Sequence, residues 1–167
     1  MSQCALIELL RGRGSHVDPL ACIEDISAEM AARQIGEFPH SIAQLVFHMS
    51  YWMDHELRRI RGERPKYPQH ASESWPKLPS PADEQEWDQL RNQLASLLSD
   101  FAALAQSPCA ELDRQVESAH EGDTKVSGTM EAVLWQILVH NSYHIGQVAL
   151  LRRCLGAWPP RRGSDTW

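Results

Sequence analysis

Residues 135–156 read WQILVHNSYHIGQVALLRRCLG, with apolar side chains returning every third or fourth position and His140 and His144 one helical turn apart. Strand patterns alternate with period two, whereas this spacing is that of a helix with one buried face. With His140 at zero on a wheel of about 100° per residue, Val133, Ile137, Val148, Leu151 and Leu155 fall between about 20° and 80°, and Leu134, Ile145 and Leu138 carry the face to about 160°. His144 lies inside that arc, near about 40°, and His140 at its edge. The helix is expected from about Thr129 to Leu155, with Gly156 and Pro159 ending it. Imidazoles at i and i+4 stack one turn apart, which lets both ligate one metal ion.

A second segment repeats the pattern. From about Ser41 to Arg61, Ile42, Leu45, Val46, Met49, Trp52, Met53, Leu57 and Ile60 recur at helix spacing. With His48 at zero, the apolar face again lies to one side, between about 40° and 160°, and the histidine sits at its edge. Three histidines drawn from two helices can meet near one end of a bundle as a His₃ site. Three neutral imidazoles leave at least one coordination position for water or substrate, the pattern of a catalytic site. Nitrogen ligands suit zinc, nickel, iron and copper alike.

The rest of the chain is read around these two helices. Residues 2–12 form a short amphipathic helix interrupted near RGRGSH, and Asp18-Pro19 reads as N-cap and first position for LACIEDIS. Residues 62–81 carry five prolines and form a long connection. Ser80 as cap, Pro81 as first residue and Asp83 as acidic first turn open a third long helix through Trp87, Leu90, Leu94, Leu97, Phe101 and Leu104. Residues 107–128 are polar, with one helical turn expected at ELDRQV. The expected fold is all-α, a four-helix bundle with a long crossover between its second and third helices, in one domain over residues 1–167.

The formal charge of -6, with Lys and Arg dispersed, argues against a nucleic-acid partner. No run approaches the roughly 18 apolar residues of a membrane span, and arginines following the apolar N-terminal run are in the wrong order for a secretory signal, so a cytoplasmic protein is expected. Cys4, Cys22, Cys109 and Cys154 are too scattered for a disulfide framework and read as reduced thiols.

Around the three ligand candidates, His55 is roughly 10 Å beyond His48 along the axis and is expected, with Trp52, in the pocket wall. Gln147, nearly in line with His144, is placed to orient a ligand or a bound water. His16, His40, His70 and His120 fall in loops or helix ends, where solvated histidine is the default, and His16 beside Asp18 is kept as a pocket candidate. Glu56 faces inward two turns from His48, and pairing with an arginine is its simplest role.

The segments HSIAQLVFHMSYWMDHELRRI and VLWQILVHNSYHIGQVALLRR resemble the DinB-like family of metal-binding four-helix bundles, and the resemblance covers nearly the whole chain. It implies that one histidine of the second helix and the HxxxH pair of the fourth hold the ion, here His48, His140 and His144, with HxGQ matched at His144, Gly146 and Gln147. Some bacterial members resemble thiol-dependent S-transferases or isomerases, often linked by analogy to stress responses. The resemblance thus implies a metal-dependent transfer between a low-molecular-weight thiol and an electrophilic small molecule. The alternatives are a non-catalytic metal- or ligand-binding stress-response module and a metal-assisted hydrolase.

Two further expectations concern surfaces. Trp75, in the proline-rich connection, and Trp167, in the tail, are expected to shield the site. Trp135, Val139, Tyr143 and Leu150 on the fourth helix, with Phe47 and Tyr51 on the second, face away from the metal stripe and suggest a two-fold homodimer.

Overall fold

A computed structural model describes residues 3–76, 81–116 and 128–162, and in them the fold is all-α. The elements are α1 (Gln3–Leu10), α2 (Ala21–Glu24), α3 (Ala28–Ala32), α4 (Ile42–Ile60), α5 (Glu84–Leu104), α6 (Cys109–Leu112) and α7 (Met130–Cys154), with a 3₁₀ turn at Ala71–Ser74. The long helix α4 packs against both α5 and α7, and α1, α2 and α3 cover the remaining seams. None of these helices is long and apolar enough to cross a membrane.

Local chemistry sets each boundary. Ser41 Oγ accepts from the Gln44 amide while Gln44 Oε1 accepts from the Ser41 amide, a reciprocal cap that fixes where α4 starts. Thr129 caps α7 by accepting from the Ala132 amide, and the helix gives way to Gly156 at φ 70°. The start of α5 differs from expectation: Asp83 itself is the cap, accepting from the Glu86 amide. A carboxylate one residue before the helix satisfies orphan amides directly, so Pro81 lies outside the helix, and Ser80 lies outside the described residues.

The first arm is broken more finely than its sequence suggests. Asp18 does organise the turn before α2, since its carboxylate accepts from the Leu20 and Ala21 amides. The helix nevertheless stops at Glu24, and Ser27 caps a separate α3. The expected turn at ELDRQV is shifted to Cys109–Leu112. Gln115 instead pairs with Thr129 in an isolated antiparallel bridge, and the backbone bonds Val116 N to Gly128 O (3.0 Å) and Met130 N to Arg114 O (2.9 Å) tie this segment to the start of α7.

Met49 and Met53 of α4, Trp87, Leu94 and Phe101 of α5, and Leu134, Ile137 and Ile145 of α7 meet in the apolar centre. Trp87 keeps its indole N–H satisfied by the Ile26 carbonyl at 2.7 Å, which also anchors the first arm. On the wheel that put His144 inside, Arg152 also points inward, and it is 1% exposed. Its guanidinium donates to the carbonyls of Cys22 (2.7 Å) and Ala157 (2.8 Å) and to Asp25 Oδ1 (2.7 Å), so it joins α2 to the end of α7.

The outward strip of α7 is only partly exposed. Val139, Tyr143 and Leu150 are 62%, 65% and 48% exposed, but Trp135 is half-buried and packs on the core. Phe47 and Tyr51 are half-buried as well.

Replacing Arg152 by Ala leaves two carbonyl oxygens and Asp25 Oδ1 without their donor, Asp25 keeping the Arg161 amide on Oδ2, and a loss of about 2 kcal/mol is expected. Denaturant unfolding reads this directly; a loss below about 1 kcal/mol would show that α2 is held by apolar contact alone.

Candidate metal centre

Helices α4 and α7 cross so that three imidazoles turn their Nε2 atoms toward one point. His140 Nε2 lies 3.2 Å from His48 Nε2 and 3.2 Å from His144 Nε2, and one ring nitrogen from each of the three lies within 4.8 Å of the others. His48 and His144 are 7% and 6% exposed, and His140 is half-buried.

The opposite ring nitrogens explain this orientation. His48 Nδ1 is 3.1 Å from the Ser74 carbonyl, which can only accept, so Nδ1 carries the proton and Nε2 presents a lone pair. His144 is held the same way by Gln147 Oε1 at 2.7 Å from its Nδ1, the role open to Gln147 from its spacing. His140 Nδ1 is 3.4 Å from Asn141 Oδ1, and the Asn141 amide in turn donates to Met53 Sδ at 3.2 Å. Oxygen acceptors behind metal-binding imidazoles fix tautomer and ring plane in this manner. Nitrogens gathered in this way in a desolvated place could hold a cation between them. With Zn–N bonds of about 2.0–2.1 Å, a tetrahedral site separates ligand nitrogens by about 3.3 Å, so the 3.2 Å spacings fit such an ion. No Asp, Glu or Cys joins this cluster among the described residues.

Burial favours the neutral, ligating form. It pushes His48 and His144 down to about 4 against the bond from Ser74 in one and from Gln147 in the other, and it lowers His140 as well.

The pocket candidates separate into two groups. Trp52 meets His48 edge-on at 6.4 Å between centroids, and His55, buried, packs on Trp52 at 5.4 Å and on Tyr67 at 5.7 Å, so Trp52 touches the cluster and His55 stands one ring further out. His16 is elsewhere: its Nδ1 is 2.8 Å from the Val17 carbonyl and its Nε2 2.8 Å from Ser142 Oγ, which ties the first arm to the flank of α7. Glu56 is buried against Arg59 at 2.6 Å, as its simplest reading required. Burial raises its carboxyl, and Arg59 opposes that rise.

Sequence reasoning missed His40. It is half-buried, not solvated, and lies flat on Trp75 at 3.5 Å, while the other indole face lies on His48 at 3.8 Å. The available signal was its place immediately before the Ser41-x-x-Gln44 cap, where a side chain folds back over the first turns of the helix. His120 and Trp167 lie outside the described residues.

The chain matches the DinB family over residues 15–162 and belongs to it. No curated protein matches the sequence.

The lowered histidines set a pH dependence for the metal-free protein. Below the unfolded value of about 6.5 the unfolded chain takes up protons that the folded cluster refuses until about 4, so protonation favours unfolding. Melting temperature is therefore expected to fall between pH 6.5 and 4, and less steeply in His48→Ala/His144→Ala. Equal slopes in the two proteins would show that other groups dominate acid lability.

Proposed function

We propose that His48, His140 and His144 hold one divalent transition-metal ion, and that the protein is a metal-dependent transferase acting on a low-molecular-weight thiol and an electrophilic small molecule. The observation that carries the metal reading is the convergence of three Nε2 atoms whose partner nitrogens are turned to oxygen acceptors. Zinc, nickel and iron all accept such a donor set.

When bound, the ion supplies Lewis acidity, which lowers a thiol's pKa and makes thiolate available near neutral pH. This chain's residues do the rest. His48 and His144, both buried, keep water from their side of the cluster, and half-buried His140 marks the side left for substrate. Two of the protein's own cysteines, Cys22 and Cys154, are poorly suited to be the nucleophile. Burial pushes the Cys22 thiol up to about 12, and exposed Cys154 is about 15 Å along α7 from His144. A thiol brought by substrate is the better source. Hydrolysis is disfavoured because Glu56 is committed to Arg59 and no carboxylate stands with the imidazoles among the described residues. The free cysteines fit a reducing cytoplasm.

Protein purified without a nickel column should contain about one equivalent of metal by elemental analysis, and His48→Ala, His140→Ala and His144→Ala should each lose it. His55→Ala should stay near wild type. Equal retention in all four variants ends the His₃ reading. Metal-loaded protein given a chlorinated aromatic and a panel of small thiols should form the thioether as the C–Cl bond breaks, releasing chloride and the thiol proton; tight metal binding with no turnover on any thiol favours the non-catalytic binding module.

Exposed Val139, Tyr143 and Leu150 support a second proposal, a two-fold homodimer packed through α7, flanked by α4. Sedimentation at micromolar concentration should show a dimer that Tyr143→Glu splits, and a monomeric wild type rules it out.

A further inference from the structure

Residues 70–76 form more bonds than a connection needs. The His70 amide donates to Glu73 Oε1 at 3.2 Å, the Glu73 amide to the His70 carbonyl at 3.0 Å, and Ser74 Oγ to the Ala71 carbonyl at 2.7 Å, which closes a compact turn with Ser74 buried. This turn presents two groups to His48. The Ser74 carbonyl meets Nδ1, and the Trp75 indole covers the ring face with the two planes 6° apart. His40 lies on the far indole face, also 6° from parallel, so Trp75 is a plate clamped between two imidazoles. Its edge meets His144 at 6.0 Å. Rotating the His48 ring would break the Nδ1 bond and the stack together.

We propose that residues 70–76 are a strap that positions His48 for the ion, with Trp75 as the positioning residue and His40 as its backing plate, so that closing the strap and binding metal are coupled. The inference rests on the metal reading above. Two arguments support the coupling. An imidazole that ligates a cation becomes electron-poor, and an indole face attracts positive charge, so the stack tightens when the site fills. By linkage, whatever factor metal adds to strap closure, the closed strap adds to metal affinity. Groups that orient a ligating histidine typically change metal affinity by about 10–100-fold when removed.

The test uses the full chain, stripped of metal and titrated with zinc against a chromophoric chelator. Wild type should take one zinc. Trp75→Ala should also take one but bind it about tenfold or more weakly, His40→Ala about threefold more weakly, and Trp75→Phe, which keeps a flat ring, within about threefold of wild type. Cobalt should give a visible spectrum in Trp75→Ala that differs from wild type, a change that general loosening of the fold would not bring while circular dichroism stays constant. Zinc should slow tryptic cleavage after exposed Lys66 in wild type and not in Trp75→Ala. If wild type takes one zinc and Trp75→Ala matches it in affinity and cobalt spectrum, the strap is overturned and the metal reading survives. If wild type takes none, the metal reading itself fails and the strap with it. Should Trp75→Ala not fold, His40→Ala decides: weaker zinc binding at unchanged helix content supports the strap, and unchanged binding overturns it.

Discussion

Three neutral imidazoles, turned nitrogen to nitrogen in a place largely closed to water, are the arrangement to which the rest of this bundle is fitted. Left to themselves in solvent, such rings would turn their lone pairs to water. Here the Ser74 carbonyl and Gln147 Oε1 hold the far nitrogens, and burial keeps His48 and His144 uncharged well below the ordinary histidine range. The hydrogen bonds set the geometry and burial sets the protonation state, and the two act against each other only in the pKa.

That crossing depends on how the ends of the helices are fastened. The Ser41–Gln44 cap fixes the phase of α4, and with it the direction in which His48 points. At the other end Arg152 joins α7 to α2 with bonds to two carbonyls and Asp25. The first arm, though broken into short helices, therefore acts as a brace for the helix that carries two of the three imidazoles. A wholly apolar inner face on α7 would pack as well, but it would leave nothing to bind.

Much of this was legible in the chain. The apolar periodicity of 41–61 and 129–155 gave both ligand-bearing helices to within a residue or two, because their caps lie next to the periodic stretch. The inward placement of His48 and His144 followed from the same wheel. What escaped was of two kinds. Short elements such as α3 and α6 have too few turns for periodicity to register, and their limits are set by tertiary bonds. Trp75 was expected over the site, but the part His40 plays behind it depends on how a proline-rich connection returns to the helix it left, and no periodic signal encodes that path. Arg152 was hidden for the opposite reason: a charged residue on an inward position looks like an exception to the pattern until its partners are known.

His48 and His140 are 92 residues apart in the chain. An ion held between them would close a loop of that length, and in the chain-entropy picture a permanent cross-link of such span restricts the unfolded ensemble by on the order of 4–5 kcal/mol. The described cysteines are all unpaired, so such an ion would be the long-range clasp among those residues. Unlike a disulfide, it would open when metal is withdrawn or in acid, not with reductant. Firmness of the fold and capacity for chemistry would then rise and fall together with metal availability.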